Sequence, residues 1–462
     1  MTQDIGPPTA DHRAQENIRS LIEFNGQRAE IEYARTEGRE VKSVGIVGAG
    51  TMGASIAACT AAHGLPVVIT DADPRVLAGL PRKLAAEWAG VGKPATSEHE
   101  SAVGRSVRPT TDTAAVARCD LVLEAVVEKP AVKRQVFADL EPKLEGGAIL
   151  ASNTSTLPIT RLAAELADPS RFCGLHFFHP VGERPLVEVV RGLRTSDGTI
   201  ATAVAYVKAI GKIPLVVRDG PGFVVNRLLV PYAGEAMQLL LEGVPIEAVE
   251  QAAADFGMPL GPLALLDQLG LDTVLDCGWV LSGAYPDTVA TSPLLVAMVK
   301  AGRLGQKSGA GFFAYRGEPA RTPGIERNDA PACRPRGFAP LSRRPPDRDP
   351  AVDALIDRWA GPPQKHTRET ITARLFLLML LEATRILQEQ KVADPRLVDL
   401  GAIFGLGFPE ARGGLLFWAD TLGAARVVRM LQPFESLGPR ARPTPMLLEM
   451  AEKNRRFYDT RI

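Results

Sequence analysis

The sequence predicts an α/β domain followed by two related all-α domains. Three observations carry this prediction. Residues 41–217 alternate short apolar, β-branched runs with helical stretches, which is typical of a parallel sheet covered by helices. A glycine-rich turn stands between the first of these runs and the helix that follows. From residue 218 onward the pattern becomes helical, and two of its stretches resemble each other at a nearly constant offset.

The glycine-rich turn comes directly after the apolar run at residues 41–47. It reads G-x-G-x-x-G, with its glycines at Gly48, Gly50 and Gly53. In such a turn the first Gly permits a tight bend and the second lets the backbone approach a pyrophosphate, while the third lets the helix pack on the strand. Free N–H groups at the helix N-terminus then attract the phosphates. The turn therefore predicts a Rossmann-type dinucleotide-binding domain.

A second strand is predicted at residues 66–70, and it ends at Asp71. Asp71 has the spacing expected of the carboxylate that binds the adenosine ribose hydroxyls. No Arg follows it directly, and its charge would repel a 2′-phosphate, so the sequence favours NAD over NADP. The alternative is a βαβ unit in which the glycines serve packing alone.

A hydroxyl, an imidazole and a carboxylate stand on short segments that are typical of strand ends. The hydroxyl comes from the Ser- and Thr-containing stretch 152–155, the imidazole from His176 and the carboxylate from Glu188. Oxidising a secondary alcohol needs a base for the hydroxyl proton beside an acceptor for the hydride, and His is the best base near neutral pH. Together with the dinucleotide turn, these groups predict alcohol oxidation. Considered separately, His176 could instead be a buried histidine whose hydrogen bonds are made within the core. Glu188 could be a carboxylate at the edge of the fold.

Eight segments in this order resemble the 3-hydroxyacyl-CoA dehydrogenases, most of all the dehydrogenase half of the multifunctional α subunits of bacterial fatty-acid oxidation. They are residues 48–53, 124–128, 151–156, 174–178, 185–188, 221–227, 303–309 and 405–409. The resemblance covers about residues 41–460. It implies NAD-dependent oxidation of an L-3-hydroxyacyl-CoA to the 3-ketoacyl-CoA in fatty-acid β-oxidation.

The resemblance also assigns roles to residues. It implies that His176 takes the hydroxyl proton and that Glu188 holds and polarises it, as in other His–acid pairs. Ser155 and Asn226 match positions that hydrogen-bond the substrate oxygen and the thioester region. The implied cofactor-binding residues are Gly48, Gly50, Met52, Gly53, Asp71, Val126, Val127, Glu128, Lys133, Ser155, His179 and Lys307. The implied substrate contacts are Ser155, Asn226 and Phe404.

The chain departs from the family pattern in three places. His179 stands where the family usually has Asn, and Phe404 stands where the α subunits often have Tyr. Only about 40 residues precede the first strand, too few for the hydratase domain of those subunits, so hydratase activity is not expected. A non-catalytic subunit that binds acyl-CoA or NAD is the alternative function. A dehydrogenase acting on a free hydroxy acid is a third.

The sequence divides into five parts. They are a polar N-terminal helical extension (1–40), the Rossmann-type NAD-binding domain (41–217), a first helical dehydrogenase domain (218–315), a Pro- and Arg-rich linker (316–365) and a second helical domain (366–462). The linker is expected to be partly disordered, because its composition cannot bury much apolar surface.

The second helical domain is predicted to be a copy of the first. At an offset of about 147 residues, Arg227 matches Arg374, Glu235 matches Glu382, and Asn226 matches Ala373. Only the first copy keeps the Asn, so we expect the second copy to support the fold or line the acyl chain. The alternative is a pair of unrelated amphipathic bundles.

The composition is typical of a soluble, cytoplasmic enzyme. The 462 residues include 53 basic and 53 acidic side chains, so nothing indicates a nucleic-acid surface. Five cysteines are dispersed without metal-ligand spacing, which fits reduced thiols and predicts no metal site. No apolar run is long enough to span a bilayer. The resemblance implies an acyl-CoA thioester substrate, with a homodimer or a thiolase-type β-oxidation subunit as the candidate partners.

Overall fold

The computed structural model describes residues 12–33, 38–90, 106–315 and 347–459. The described residues form two compact units. The first comprises Glu23–Phe223 and contains the large sheet, so we call it the sheet unit. The second comprises the described residues before 23 and those from 224 onward, and we call it the helical unit because most of its elements are helices.

The sheet unit contains an eight-stranded sheet in the order β3-β2-β1-β4-β5-β6-β7-β8. The strands are β1 (Val44–Val47), β2 (Val67–Thr70), β3 (Val107–Thr110), β4 (Leu121–Glu124), β5 (Ile149–Ser152), β6 (Phe172–Phe177), β7 (Leu186–Arg191) and β8 (Ile213–Arg218). Neighbours pair in parallel, except that β6 and β7 are antiparallel. The order of the first six strands is that of a doubly wound dinucleotide-binding sheet, so the predicted Rossmann-type fold is confirmed.

β3 is the strand of this sheet for which the sequence shows no apolar, β-branched run. It is only four residues long, contains Pro109, and lies at the edge of the sheet beside β2. Pro is tolerated at an edge because only one side of the strand joins the ladder. Three of its four side chains are exposed or half-buried, so β3 lacks the continuous apolar run that marks the central strands.

Helices cover both faces of this sheet, as expected for a doubly wound fold. They are α2 (Thr51–Ala62), α3 (Pro74–Ala78), α4 (Leu80–Gly90), α5 (Thr113–Ala117), α6 (Pro130–Leu140), α7 (Ile159–Leu162) and α8 (Asp197–Ala209), and α1 (His12–Tyr33) precedes them. Small side chains of α2, such as Ala57, and larger ones of α8, such as Tyr206, share one buried core with Ile46 and Ile69 of the sheet.

The helical unit continues the numbering from the end of the sheet. Its helices are α9 (Val225–Leu241), α10 (Ile246–Phe256), α11 (Pro262–Leu269), α12 (Leu271–Ala284), α13 (Pro293–Lys300), α14 (Asp353–Trp359), α15 (Arg368–Gln388), α16 (Pro395–Gly401), α17 (Leu415–Leu422), α18 (Ala424–Leu431) and α19 (Pro445–Glu452). A π-helical turn at Ala402–Leu406 follows α16. The two longest of these helices, α9 and α15, pack against each other.

Reciprocal ion pairs join α9 and α15. Arg227 of α9 donates from Nε to Glu382 of α15 at 2.6 Å. Arg374 of α15 donates from Nε to Glu235 of α9 at 2.8 Å. All four side chains are buried. Because the two pairs join equivalent positions in opposite directions, they support the expectation that the two helical stretches are related.

A carboxylate clamp recurs in the helical unit, and two of its occurrences lie at matching positions of α11 and α17. In each of these two an Asp accepts two consecutive backbone N–H groups from a later segment. Asp267 accepts from Phe312 and Phe313, and Asp420 accepts from Phe457 and Tyr458. Burial raises the pKa of each carboxyl to about 6. The equivalent clamps are a second feature that the two stretches share.

The predicted linker needs a correction. Its residues 316–346 lie outside the described part of the chain, but residues 347–359 contain regular structure. Asp347–Arg348 pairs as an antiparallel strand with Phe313–Ala314, and α14 follows. Asp349 forms an ion pair with Arg303, and Val352 is fully buried. The surrounding Pro and Arg residues hid these short signals in the sequence.

Candidate active site

His176 and Glu188 face each other across the antiparallel pair β6–β7. The register aligns the two residues directly, which brings their side chains together on one face of the sheet. His176 Nδ1 lies 2.7 Å from Glu188 Oε2. Glu188 is fully buried, and His176 is only 4% exposed. Because the carboxylate accepts a hydrogen bond from Nδ1–H, the imidazole is held in the tautomer whose Nε2 carries no proton and can accept one.

Two aromatic rings flank the imidazole. The ring centroid of Phe178 lies 4.4 Å from that of His176, and the ring of Phe223 lies 5.8 Å away. Phe223 is buried and has a φ of 49°, in the left-handed region that bulky side chains rarely adopt. Both phenylalanines exclude water from the imidazole. The sequence showed them only as parts of motifs, with no role assigned.

Ser155 lies in the turn after β5, and Glu128 fixes this turn. Glu128 Oε1 accepts the Ser155 backbone N–H at 2.9 Å and the Thr154 Oγ1–H at 2.5 Å. Ser155 itself is half-buried. The carboxylate of Glu128 therefore sets the backbone from which the Ser155 hydroxyl projects.

Lys133 lies behind Glu128 and is completely buried. Its Nζ is 2.8 Å from Glu124 Oε1 and 3.2 Å from Glu128 Oε2. Ser152 donates its hydroxyl to Glu124 at 2.6 Å. Burial raises the pKa of Glu124, although Lys133 opposes this effect. The sequence did not single out Glu124 or Ser152. The available signal was a carboxylate at the end of an apolar strand.

The glycine-rich turn has the geometry that its pattern predicts. Gly48 has a φ of 104°, and a Cβ on Gly53 would come within 1.8 Å of the Gly48 carbonyl oxygen. A Cβ on Gly50 would meet no atom within 4 Å, so the space beside the turn is open for a phosphate. Asp71 Oδ2 accepts the Ala49 N–H at 2.7 Å. The carboxylate that is expected to bind the ribose thus lies against the turn, and these residues fit a dinucleotide.

The other expected cofactor residues of the sheet unit follow the carboxyl ends of its strands. Met52 follows β1, Val126 and Val127 follow β4, and His179 follows β6. Val127 is 60% exposed, which leaves it accessible to a ligand. In doubly wound sheets ligands bind in the crevice outside these strand ends. The fold therefore places the four residues at the edge where a dinucleotide is expected.

Three expected site residues belong to the helical unit. Asn226 is half-buried on the first turn of α9. Lys307 forms an ion pair with Asp272 at 2.5 Å. Phe404 is 2% exposed within the π-helical turn, where it packs as a core residue. The roles of these three residues depend on the family resemblance.

The described part of the chain contains neither a candidate metal site nor a candidate membrane span. Residues 12–33, 38–90, 106–315 and 347–459 contain no cluster of three or more metal-ligating side chains. Among the same residues, no helix is long and apolar enough to cross a membrane. The four cysteines described there are free thiols.

Comparison with known proteins agrees with this geometry. Residues 43–220 match the family model of the 3-hydroxyacyl-CoA dehydrogenase NAD-binding domain, and residues 222–315 match that of the C-terminal domain. The crystal structure of 3-hydroxybutyryl-CoA dehydrogenase from Escherichia coli K12 is similar, with a TM-score of 0.73 and 26% identity. That alignment covers 90% of this chain and 99% of the other.

Two further structures are similar. (S)-3-hydroxybutyryl-CoA dehydrogenase PaaH1 from Ralstonia eutropha is 37% identical, with a TM-score of 0.57, over 60% of this chain and 100% of that one. The dehydrogenase part of multifunctional enzyme 1 from C. elegans shares the fold, with 23% identity and a TM-score of 0.62, over 97% of this chain and 99% of that one. The matched domains and the 37% identity together show that this chain belongs to the 3-hydroxyacyl-CoA dehydrogenase family of NAD-dependent oxidoreductases.

Proposed function

We propose that this protein oxidises L-3-hydroxyacyl-CoA thioesters to 3-ketoacyl-CoA with NAD in fatty-acid β-oxidation. The observation that carries the proposal is the buried His176–Glu188 pair, 2.7 Å apart, in a sheet that also carries a dinucleotide turn. A base and a cofactor site in one α/β domain provide the two functions that alcohol oxidation needs.

His176 is the proposed base. Glu188 accepts a hydrogen bond from Nδ1–H of His176, so Nε2 can take the proton of the substrate hydroxyl. The imidazolium that results is stabilised by the buried carboxylate of Glu188. Phe178 keeps water from this charge pair, which strengthens the electrostatic attraction. NAD, when bound, supplies the hydride acceptor.

Ser155 is proposed to donate its hydroxyl to the 3-oxygen of the substrate. Glu128 fixes its backbone by two hydrogen bonds in the same turn, so the donor is positioned before charge develops. Asn226 is proposed to hydrogen-bond the thioester region, on the strength of the family resemblance. Ala373 stands at the matching position of the second copy, so we assign residues 366–462 to the fold and the acyl chain.

A non-catalytic subunit that binds acyl-CoA or NAD is the alternative function. The observation that favours it is His179, which replaces the Asn usual in the family. The intact His176–Glu188 pair argues against it. The proposed dehydrogenase would convert substrate and NAD to products, whereas a non-catalytic subunit would bind them without reaction.

A substrate panel tests the proposed chemistry. The (S) and (R) forms of 3-hydroxybutyryl-CoA and free (S)-3-hydroxybutyrate are each supplied with NAD, and NADH formation is followed by absorbance. We expect kcat/KM for the (S)-thioester to exceed the other two by about 100-fold or more. The free acid lacks the thioester, and the (R) form cannot present its hydroxyl to His176 and its C3 hydrogen to NAD at the same time. Comparable rates with the free acid would replace the proposal with a hydroxy-acid dehydrogenase.

Cofactor choice gives a prediction for Asp71. Its carboxylate lies against the glycine-rich turn and should accept the ribose hydroxyls, so NADPH is expected to be used about 10- to 100-fold less efficiently than NADH. Replacing Asp71 with Asn should narrow this ratio, because the repulsion of a 2′-phosphate is removed. The measurement is kcat/KM with both cofactors for both proteins. Equal use of the two cofactors by the unaltered protein would contradict the role of Asp71.

A further inference from the structure

A second His–acid pair lies beside the first. His179 follows β6, three residues after His176, and its Nε2 is 3.6 Å from Oε1 of Glu87 on α4. The side chain of His179 is 45% exposed, whereas that of Glu87 is 20% exposed. The carboxylate is therefore largely enclosed, and the imidazole that it holds faces solvent in part.

Ser55 joins this pair to the helix that begins at the glycine-rich turn. Its hydroxyl donates to Glu87 Oε2 at 2.5 Å and accepts the Val181 backbone N–H at 3.2 Å. Ser55 lies on α2, only two residues after Gly53. One hydroxyl thus links α2, α4 and the segment after β6. This places the pair at the carboxyl-end edge of the sheet, where a dinucleotide binds.

The charge state of Glu87 suits this arrangement. Burial alone would raise its pKa, but His179 and the Ser55 hydroxyl outweigh burial and hold the pKa below its usual value. Glu87 is therefore an anion at neutral pH. An anion fixed in this position attracts and orients the N–H of the imidazole that faces it.

The backbone of the same segment is held by other groups. Lys212 donates from Nζ to the carbonyl oxygens of Val181 and Arg184, at 2.5 and 2.9 Å. Arg184 donates from Nε to the His179 carbonyl oxygen at 3.4 Å. Because these cations already fix the main chain, Glu87 is not needed to hold the segment. Its specific effect is on the imidazole of His179.

We propose that Glu87 is a positioning residue of the cofactor site, which orients the His179 imidazole toward the nicotinamide end of the bound dinucleotide. This inference rests on the proposed function, in which His176 is the base and NAD supplies the hydride acceptor. A purely structural ion pair would change stability alone. A positioning pair changes the affinity for the cofactor, and it does so only while His179 is present.

A double-mutant cycle distinguishes these possibilities. The dissociation constant of NADH is measured by fluorescence, without substrate, for the full-length protein and for Glu87→Gln, His179→Ala and the double variant. We expect Glu87→Gln to weaken NADH binding by about 10-fold when His179 is present, the scale of losing one hydrogen bond from the oriented imidazole to the cofactor. In the His179→Ala background the same change should cost less than about 2-fold.

Two further variants complete the experiment. Asp197→Asn breaks an ion pair with Arg191, 2.6 Å long, elsewhere in the sheet unit, and should leave NADH binding unchanged. Ser55→Ala removes the donor to Glu87 without altering charge. It should give a smaller loss with the same dependence on His179, and it replaces Glu87→Gln if that variant does not fold.

The outcomes separate cleanly. Equal effects of Glu87→Gln in both backgrounds, or no effect with His179 present, would overturn the positioning role. Because NADH binding is measured without substrate, the cycle stays decisive even if the unaltered protein shows no turnover. An absence of turnover in the unaltered protein would contradict the proposed function, but the NADH-binding data would still decide the role of Glu87.

Discussion

Replacing His176 with Gln is expected to lower kcat by about 100-fold or more, the scale of lost general-base catalysis. Gln cannot take a proton, and Glu188 then has no imidazolium to stabilise. NADH binding should stay within about 2-fold of the unaltered protein, because within the described part of the chain no hydrogen bond joins His176 to the glycine-rich turn or to Asp71. The measurements are steady-state kinetics and NADH titration on the same preparations.

His63→Gln is the matched control for this variant. His63 lies at the end of α2, where its Nδ1 bonds the Cys59 carbonyl oxygen, and it is exposed. The control should keep full turnover. If His176→Gln turned over at the same rate as its control, His176 would not be the base.

Arg374→Met is expected to lower the free energy of unfolding by about 3 kcal/mol or more. The substitution removes the cation that Glu235 and Glu242 share, and it leaves these buried carboxylates with only Arg440 and His366 as ion-pair partners. Breaking one side of a buried ion pair costs about 3–5 kcal/mol, since the remaining charge stays desolvated. The measurement is urea unfolding followed by circular dichroism at a helix wavelength, which gives the free energy of unfolding of each protein.

The reciprocal ion pair provides a second variant with which to compare Arg374→Met. Arg227 contacts Glu382 and Glu389 as Arg374 contacts its own two carboxylates, so Arg227→Met should destabilise to a similar extent. Arg75→Met, which breaks an exposed pair with Asp73, should leave the unfolding midpoint unchanged. If neither buried Arg affected the midpoint, these ion pairs would not stabilise the contact between α9 and α15.

The sequence predicted the parts of the site that depend on local patterns. The glycine-rich turn and Asp71 follow from spacing alone, because strand, turn and helix are contiguous in the chain. The pairing of His176 with Glu188 came from the family resemblance, and the structure supplies its physical basis in the antiparallel register. No periodicity specifies that β6 and β7 run in opposite directions.

The sequence could not predict contacts between distant elements. Glu87 lies on α4 and His179 follows β6, and no sequence motif relates these two positions, although their side chains are 3.6 Å apart. The burial of Lys133 depends on how α6 packs against the sheet, so the sequence did not show that this expected cofactor residue is a buried cation between Glu124 and Glu128. The short strand and helix at residues 347–359 were hidden for a related reason, since they are stabilised by remote partners such as Arg303.

The most direct test of the central claim is a spectrophotometric assay of the full chain with acetoacetyl-CoA and NADH. Reduction of the 3-keto group consumes NADH in the reverse of the proposed reaction, so enzyme and non-catalytic binder are separated in one measurement. We predict a loss of NADH absorbance that depends on acetoacetyl-CoA and falls by about 100-fold or more in His176→Gln. NADH that binds to the protein but is not consumed when acetoacetyl-CoA is added would contradict the account and favour the non-catalytic subunit.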